Sequence, residues 1–225
     1  VTLPLSEYYD QDCQRNEENI RRKRENLMRE LTLNKGRAFT VQSVKVMPES
    51  LPAAFTRLTE IKPGPDETTL IIDLGGTTLD AGVIVGQFED ISAVHGNPSV
   101  GVSQVTRAAA GALRAADSET SALIAASVIR SRADGEYLQR VINDAGKIDY
   151  VRTRIDEAVA SLAARVTSEL IAFRNVNLVF LVGGGASLIE EAIRQSWPLA
   201  AERIEVIGDP QLALAREIAL YSKED

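Results

Sequence analysis

The stretch TLIIDLGGTTLD, residues 69–80, decides how the rest of the chain is read. Residues 69–72 have the composition of a short buried strand. The strand delivers one carboxylate, Asp73, into a glycine pair followed by two hydroxyls, Gly75-Gly76-Thr77-Thr78. Paired glycines admit positive φ and let backbone N–H groups close on a phosphate with no Cβ in the way. The chain leaves as a second strand over residues 79–85, so the element is a β-hairpin gripping something anionic at its tip. A P-loop or a dinucleotide fingerprint would run from its glycines into a helix instead. A tight hairpin with incidental glycines would carry the same tetrapeptide, so a second signal has to decide.

That signal lies about a hundred residues on. Residues 178–182 form another short apolar run, which opens into Gly183-Gly184-Gly185-Ala186 and a helical pattern from Ser187. Three glycines between a buried strand and a helix N-terminus make a floor for a flat ring or a phosphate, helped by the free N–H groups of the first turn. Asp-Leu-Gly-Gly-Thr-Thr and Val-Gly-Gly-Gly-Ala in this order resemble the phosphate-2 and adenosine motifs of the actin, sugar-kinase and heat-shock-chaperone ATPase superfamily. VTLPLSEYYD (1–10), NIRRKRE (19–25) and VKVMPESLP (44–52) narrow the resemblance to the ParM (StbA) family of actin-like plasmid segregation ATPases, along the whole chain.

The resemblance implies an α/β, actin-like (ribonuclease H-like) fold of two lobes around a nucleotide cleft. Residues 1–62 would be the remainder of the first lobe and 63–207 the second, with a helical insert over about 100–177. A closing helix in 208–225 would cross back to the first lobe. It further implies ATP or ADP, or GTP, with Mg²⁺ held through its water shell by Asp73. Gly75, Gly76, Thr77 and Thr78 would cradle the β- and γ-phosphates, and Gly183, Gly184, Gly185 and Ala186 the α-phosphate and adenosine. Glu49 would orient the attacking water, while Lys23 and Arg24 are candidates for reaching the nucleotide or a filament neighbour. The partners implied are further copies of the chain, in filaments, and a DNA-bound adaptor of the ParR type docking between the lobes. The family's opening hairpin, with its aspartate, glycine and lysine, has no match here, so the expectation is an N-terminally incomplete chain, inactive by itself. Two other classes stay open: a sugar-type small-molecule kinase, which would add a base for a sugar hydroxyl, and a chaperone-like nucleotide switch.

Composition bounds these readings. A chain of 225 residues that is 44% hydrophobic can bury a substantial core. Its net charge of −7 argues against non-specific adhesion to nucleic acid, so any contact with DNA is expected to be indirect. The one cysteine, Cys13, excludes an internal disulfide, and no membrane-length apolar run is present; a reducing cytoplasm follows as the expectation. His95, the one histidine, has no cysteine or second histidine with which to share a metal, and reads as structural or exposed.

The remaining pattern supplies the scaffold. Asn16 is placed to cap a helix with Ile20, Leu27, Met28 and Leu31 on its apolar face. Asn34-Lys35-Gly36 reads as a turn, and Phe39, Val41, Val44 and Val46 as a strand stopped by Pro48. Ser50 is placed to cap the helix begun by Pro52. Lys62 to Glu67 is the best linker in the chain. Residues 88–94 read as a third strand, and 101–144 as helices broken near Asp117 and Gly135. Apolar residues at three- and four-residue steps from Ile148 to Phe173 predict one long helix. A last strand over 202–207 and a helix capped by Asp209 close the chain.

Overall fold

The computed structural model describes residues 1–29, 35 and 40–221. The chain opens with β1 (Thr2–Leu3), the helical turn α1 (Leu5–Tyr8) and α2 (Glu17–Leu27), then returns through β2 (Met47–Pro48) to a 3₁₀ turn over Leu51–Ala54 and α3 (Phe55–Ile61). β3 (Thr68–Leu74), β4 (Leu79–Val85) and β5 (Asp90–Asn97) follow as a meander. Next come α4 (Ser103–Ala115), α5 (Ala122–Arg130), α6 (Gly135–Val141) and α7 (Ile148–Glu169), and β6 (Leu178–Val182), α8 (Ala186–Ser196), β7 (Ile204–Val206) and α9 (Ala213–Tyr221) end the chain.

β3 sits at the centre of a five-stranded sheet of order β5-β4-β3-β6-β7, antiparallel to β4 and parallel to β6. Side chains alternate across a pleated strand, so the two faces can be assigned from sequence alone. Leu70, Ile72, Leu74, Leu79, Ala81, Val179 and Leu181 meet the helices of residues 103–196 in one core. Ile71, Ile84, Phe180 and Val182 meet Leu5, Leu51, Leu58 and Ala213 in another. Asp73 shares the parity of Ile71, and Asp80 that of Ile84. Both carboxylates therefore point to the face covered by the first 60 residues. Gly82 permits that cover to seat, because a Cβ there would lie 2.7 Å from Leu51 Cδ2.

Several expected elements shift for local reasons. β1 ends at Leu3 because Pro4, without an N–H, opens the α1 turn that buries Leu5 and Tyr8. The strand expected through Val41, Val44 and Val46 is confined to Met47–Pro48, paired in parallel with Thr2–Leu3; Leu31, Asn34, Gly36 and Phe39 lie outside the described residues. Asn16 does cap α2, accepting from the Asn19 N–H at 3.1 Å, and Ile20 is buried, but Met28 is exposed. β5 starts at Asp90, since Phe88 occupies a turn at φ 73°. The helical insert breaks at Asp117, at φ 51°, and α6 begins at Gly135. The long helix ends at Glu169 and continues as a 3₁₀ turn, Ile171–Phe173.

The last helix differs more. Asp209 sits at φ 48° and Pro210 gives its carbonyl to the Gly183 N–H at 2.9 Å, so α9 starts only at Ala213. The Asp209 carboxylate, expected as a cap, accepts from Arg216 instead. α9 packs on the Leu51–Ala54 turn, and Glu217 accepts from the N–H and hydroxyl of Thr56 in α3.

Candidate functional site

Parallel β3 and β6 place their carboxyl ends side by side, with Asp73 paired to Val182 in register. Both glycine turns consequently open on one crevice, the position at which open α/β sheets receive ligands. A cavity of about 390 Å³ lies there, lined by Asp73, Gly75, Gly76, Gly183, Gly184 and Arg130, with Val102, Val182, Pro210, Gln211 and Leu214 completing its wall.

The phosphate-type turn is clamped from behind. Gly75 N–H donates to the Thr78 carbonyl at 2.9 Å, and the first amides of the α4 entry, Val102 and Ser103, donate to the Gly75 and Gly76 carbonyls at 3.1 and 2.7 Å. Gly101 makes the clamp possible, since a Cβ there would meet the Thr77 backbone at 2.6 Å. The N–H groups of Gly76 and Thr77 have no acceptor among the described residues and both residues are exposed. Fixed, outward amides of this kind are what an anion requires.

The second glycine run works differently from the open floor that its sequence suggests. Gly183 N–H is spent on Pro210 and Gly185 N–H on Leu74, both at 2.9 Å, and the Ala186 and Leu188 amides turn back on Gly183 and Gly185. A Cβ on Gly185 would lie 2.6 Å from Val102 Cγ2, and Ala186 is wholly buried in the core. Gly183 and Gly184 are left on the cavity wall, with the Gln211 side chain beside Gly184.

Asp73, the carboxylate that lines the crevice, is coupled to two that do not line it, Glu49 and Asp80. Burial first, and the charge of Glu49 with it, push Asp73 up to about 6 against a hydrogen bond from the Ser50 hydroxyl at 3.1 Å. Asp80, which the sequence reading passed over, pairs with Asp73 across the hairpin. Burial first, then the charges of Asp73 and Glu49, push it to about 6 as well. Glu49 is half-buried, with Oε1 accepting from Thr2 Oγ1 at 3.1 Å. Thr77 is exposed at the turn, and Thr78 closes it with its carbonyl. Lys23 and Arg24 do not line the cavity; the cation that does is Arg130, from α5. His95 contacts Glu169 at 3.2 Å, as a structural histidine would. Among the described residues no cluster of metal-ligating side chains forms. Among them, too, no helix is long and apolar enough to cross a membrane.

Sequence models of the plasmid segregation protein ParM match at both ends, the N-terminal one over residues 1–60 and the C-terminal one over residues 64–221. The chain belongs to the ParM family. No match was found among curated proteins. Solved structures similar to it include a ParM filament of 15 strands from Clostridium botulinum, at 13% identity and a TM-score of 0.63, covering 100% of this chain and 66% of that one. A non-polymerisable quadruple mutant of pCBH ParM is 14% identical with a TM-score of 0.59, over 85% of this chain and 58% of its own. The archaeal actin homologue Ta0583 in complex with ADP is 16% identical with a TM-score of 0.60, over 84% and 60%. The fold is therefore actin-like, and this ParM-family chain spans about three fifths of the length of such structures.

The two raised carboxylates give a pH prediction. Ordinary carboxylates titrate near 4, so between about pH 4 and pH 6 the folded state keeps protons that the unfolded state gives up, and stability falls as pH rises through that window. In buffer with chelator, the melting temperature should climb as pH drops from 7 to about 5. Asp80→Asn should raise it at pH 7.5 and flatten the slope. A flat wild-type profile would show that neither group is protonated in that range.

Proposed function

We propose that the chain is the nucleotide-binding part of an actin-like ATPase whose nucleotide-dependent filaments drive plasmid segregation. The observation that carries this reading is the crevice shared by Asp73, the free amide of Gly76, and the wall of Gly183 and Gly184, with the free amide of Thr77 next in the same turn. A nucleoside triphosphate, ATP or GTP, fits its chemistry: amides for phosphate oxygens, a carboxylate for a hydrated cation, a small-residue wall for the nucleoside. Mg²⁺, when bound there, would neutralise phosphate charge, with Asp73 holding its water shell. Glu49 does not line the crevice, but its charge reaches Asp73, and from there it would orient the attacking water. Residues 1–62 and 63–207 would act as two lobes, with the closing helix joining them.

A second cavity, of about 470 Å³, supports the adaptor in this reading. Tyr8, Tyr9, Met47, Phe55, Phe88 and Tyr221 line it, on the side of the molecule formed by α1, β2 and the end of α9. An aromatic recess with a polar rim is the form that anchors a peptide, and a ParR-type adaptor bound to DNA would dock there, leaving the acidic chain itself off the DNA.

The test is phosphate release together with pelleting on adding ATP, in the protein as the cell makes it. ATP-dependent pelleting supports the reading; ADP release stimulated by a sugar, without pelleting, would replace it with a kinase. The 225 residues alone are expected to hydrolyse ATP negligibly, since Arg130 is the one cation among the described residues that line the crevice. Glu49→Ala should lower turnover about a hundredfold, the usual contribution of a positioned acid or base, with nucleotide affinity and filaments retained. Loss of binding in a folded Glu49→Ala protein would refute that division of roles.

A further inference from the structure

Ser50 is wholly buried, and its backbone sits at φ 67°, ψ −61°. The Leu51 N–H donates to the Glu49 carbonyl at 2.7 Å, so residues 49–51 form a γ-turn of the rare positive-φ kind. Such a conformation is strained for any residue with a Cβ, whereas glycine adopts it freely. The side chain does not cap the following turn, the role its sequence position suggests. What serine has and glycine lacks is the hydroxyl, and here the hydroxyl donates to Asp73 Oδ2 at 3.1 Å. Among the described residues no other side chain donates to that carboxylate. One residue earlier, Glu49 is tethered by Thr2 from β1, and its backbone N–H donates to the Leu3 carbonyl at 2.7 Å.

The γ-turn thus joins two carboxylates that come from separate parts of the chain: Glu49 from the β1–β2 pair and Asp73 from the end of β3. We infer that Ser50 is a positioning residue that fixes the orientation of Asp73 for a hydrated cation and sets its spacing from Glu49. The inference rests on the nucleotide reading above. Groups that orient a metal-holding side chain are often worth ten- to a hundredfold in metal affinity. A strained serine where glycine would be comfortable points to a use for its hydroxyl.

Two variants separate that role from packing. Ser50→Ala keeps the strain and removes the hydroxyl; Ser50→Gly removes both. Binding of a fluorescent ADP analogue would be titrated with MgCl₂ in the protein as the cell makes it, beside melting curves without nucleotide. Both variants should need about tenfold more Mg²⁺ for half-maximal binding, while Ser50→Gly melts no lower than Ser50→Ala. Ser50→Gly with the wild-type Mg²⁺ requirement would overturn the positioning role and leave the nucleotide reading intact. A wild-type protein that binds no nucleotide at any Mg²⁺ concentration would overturn both.

Discussion

Asp73→Asn is expected to lower phosphate release about a thousandfold, with the fold intact. Phosphoryl transfer is catalysed almost wholly by positioning and charge neutralisation, and removal of one preorganised group at such a centre costs about a hundred- to a thousandfold. Asp73 is the one carboxylate among the described residues lining the crevice, so no neighbour on that wall takes over the cation. Asparagine keeps the shape and can still accept from Ser50. It also removes a charge whose burial raises Asp73 to about 6, so at pH 7 the variant should melt at or above the wild-type temperature. The measurements are phosphate release against Mg²⁺ concentration and a melting curve for both proteins. Wild-type turnover with the wild-type Mg²⁺ dependence would remove Asp73 from the site.

The hairpin and the β6 strand were legible in sequence because their signals are local: a buried run, a polar break, and period-two alternation. β4 and β6 fall on the expected residues, 79–85 and 178–182. Asp80 was missed although the same alternation that aims Asp73 also aims Asp80. Its partner is across the hairpin, and a carboxylate one residue into a strand that follows two threonines reads by itself as strand-end decoration. Ser50 was read as a cap because Ser before Leu-Pro has that local form; its real acceptor is 23 residues away. Arg130 gave no signal at all. Its place in the crevice depends on how α4 and α5 fold back over the sheet, which no window of sequence contains. The expected Asp209 cap failed for a related reason, since the tie between Pro210 and Gly183 holds the turn open past the point where a helix would otherwise begin.

Gly183→Ala should destabilise the fold by about 3–5 kcal/mol, in the range reserved for a strained backbone combined with overpacking. Gly183 sits at φ 84°, and a Cβ there would lie 2.5 Å from the Leu74 carbonyl oxygen and closer still to Asp73 Oδ1. The carboxylate could swing aside, but the carbonyl belongs to central β3 and accepts from the Gly185 N–H at 2.9 Å. Relief would have to part β3 from the glycine run, which also carries the Pro210 contact. The neighbouring glycine supplies the control. Gly184 has negative φ, and its nearest obstacle is the Gln211 side chain at 3.8 Å, so Gly184→Ala should cost less than about 1 kcal/mol. Urea unfolding of the two variants beside the wild type measures the difference. Equal, small losses for both would mean that the close approach of Gly183 to Leu74 is not a fixed feature of the protein. If the difference holds, the close packing of the glycine run against β3 is what requires glycine at 183, whatever the crevice beside it binds.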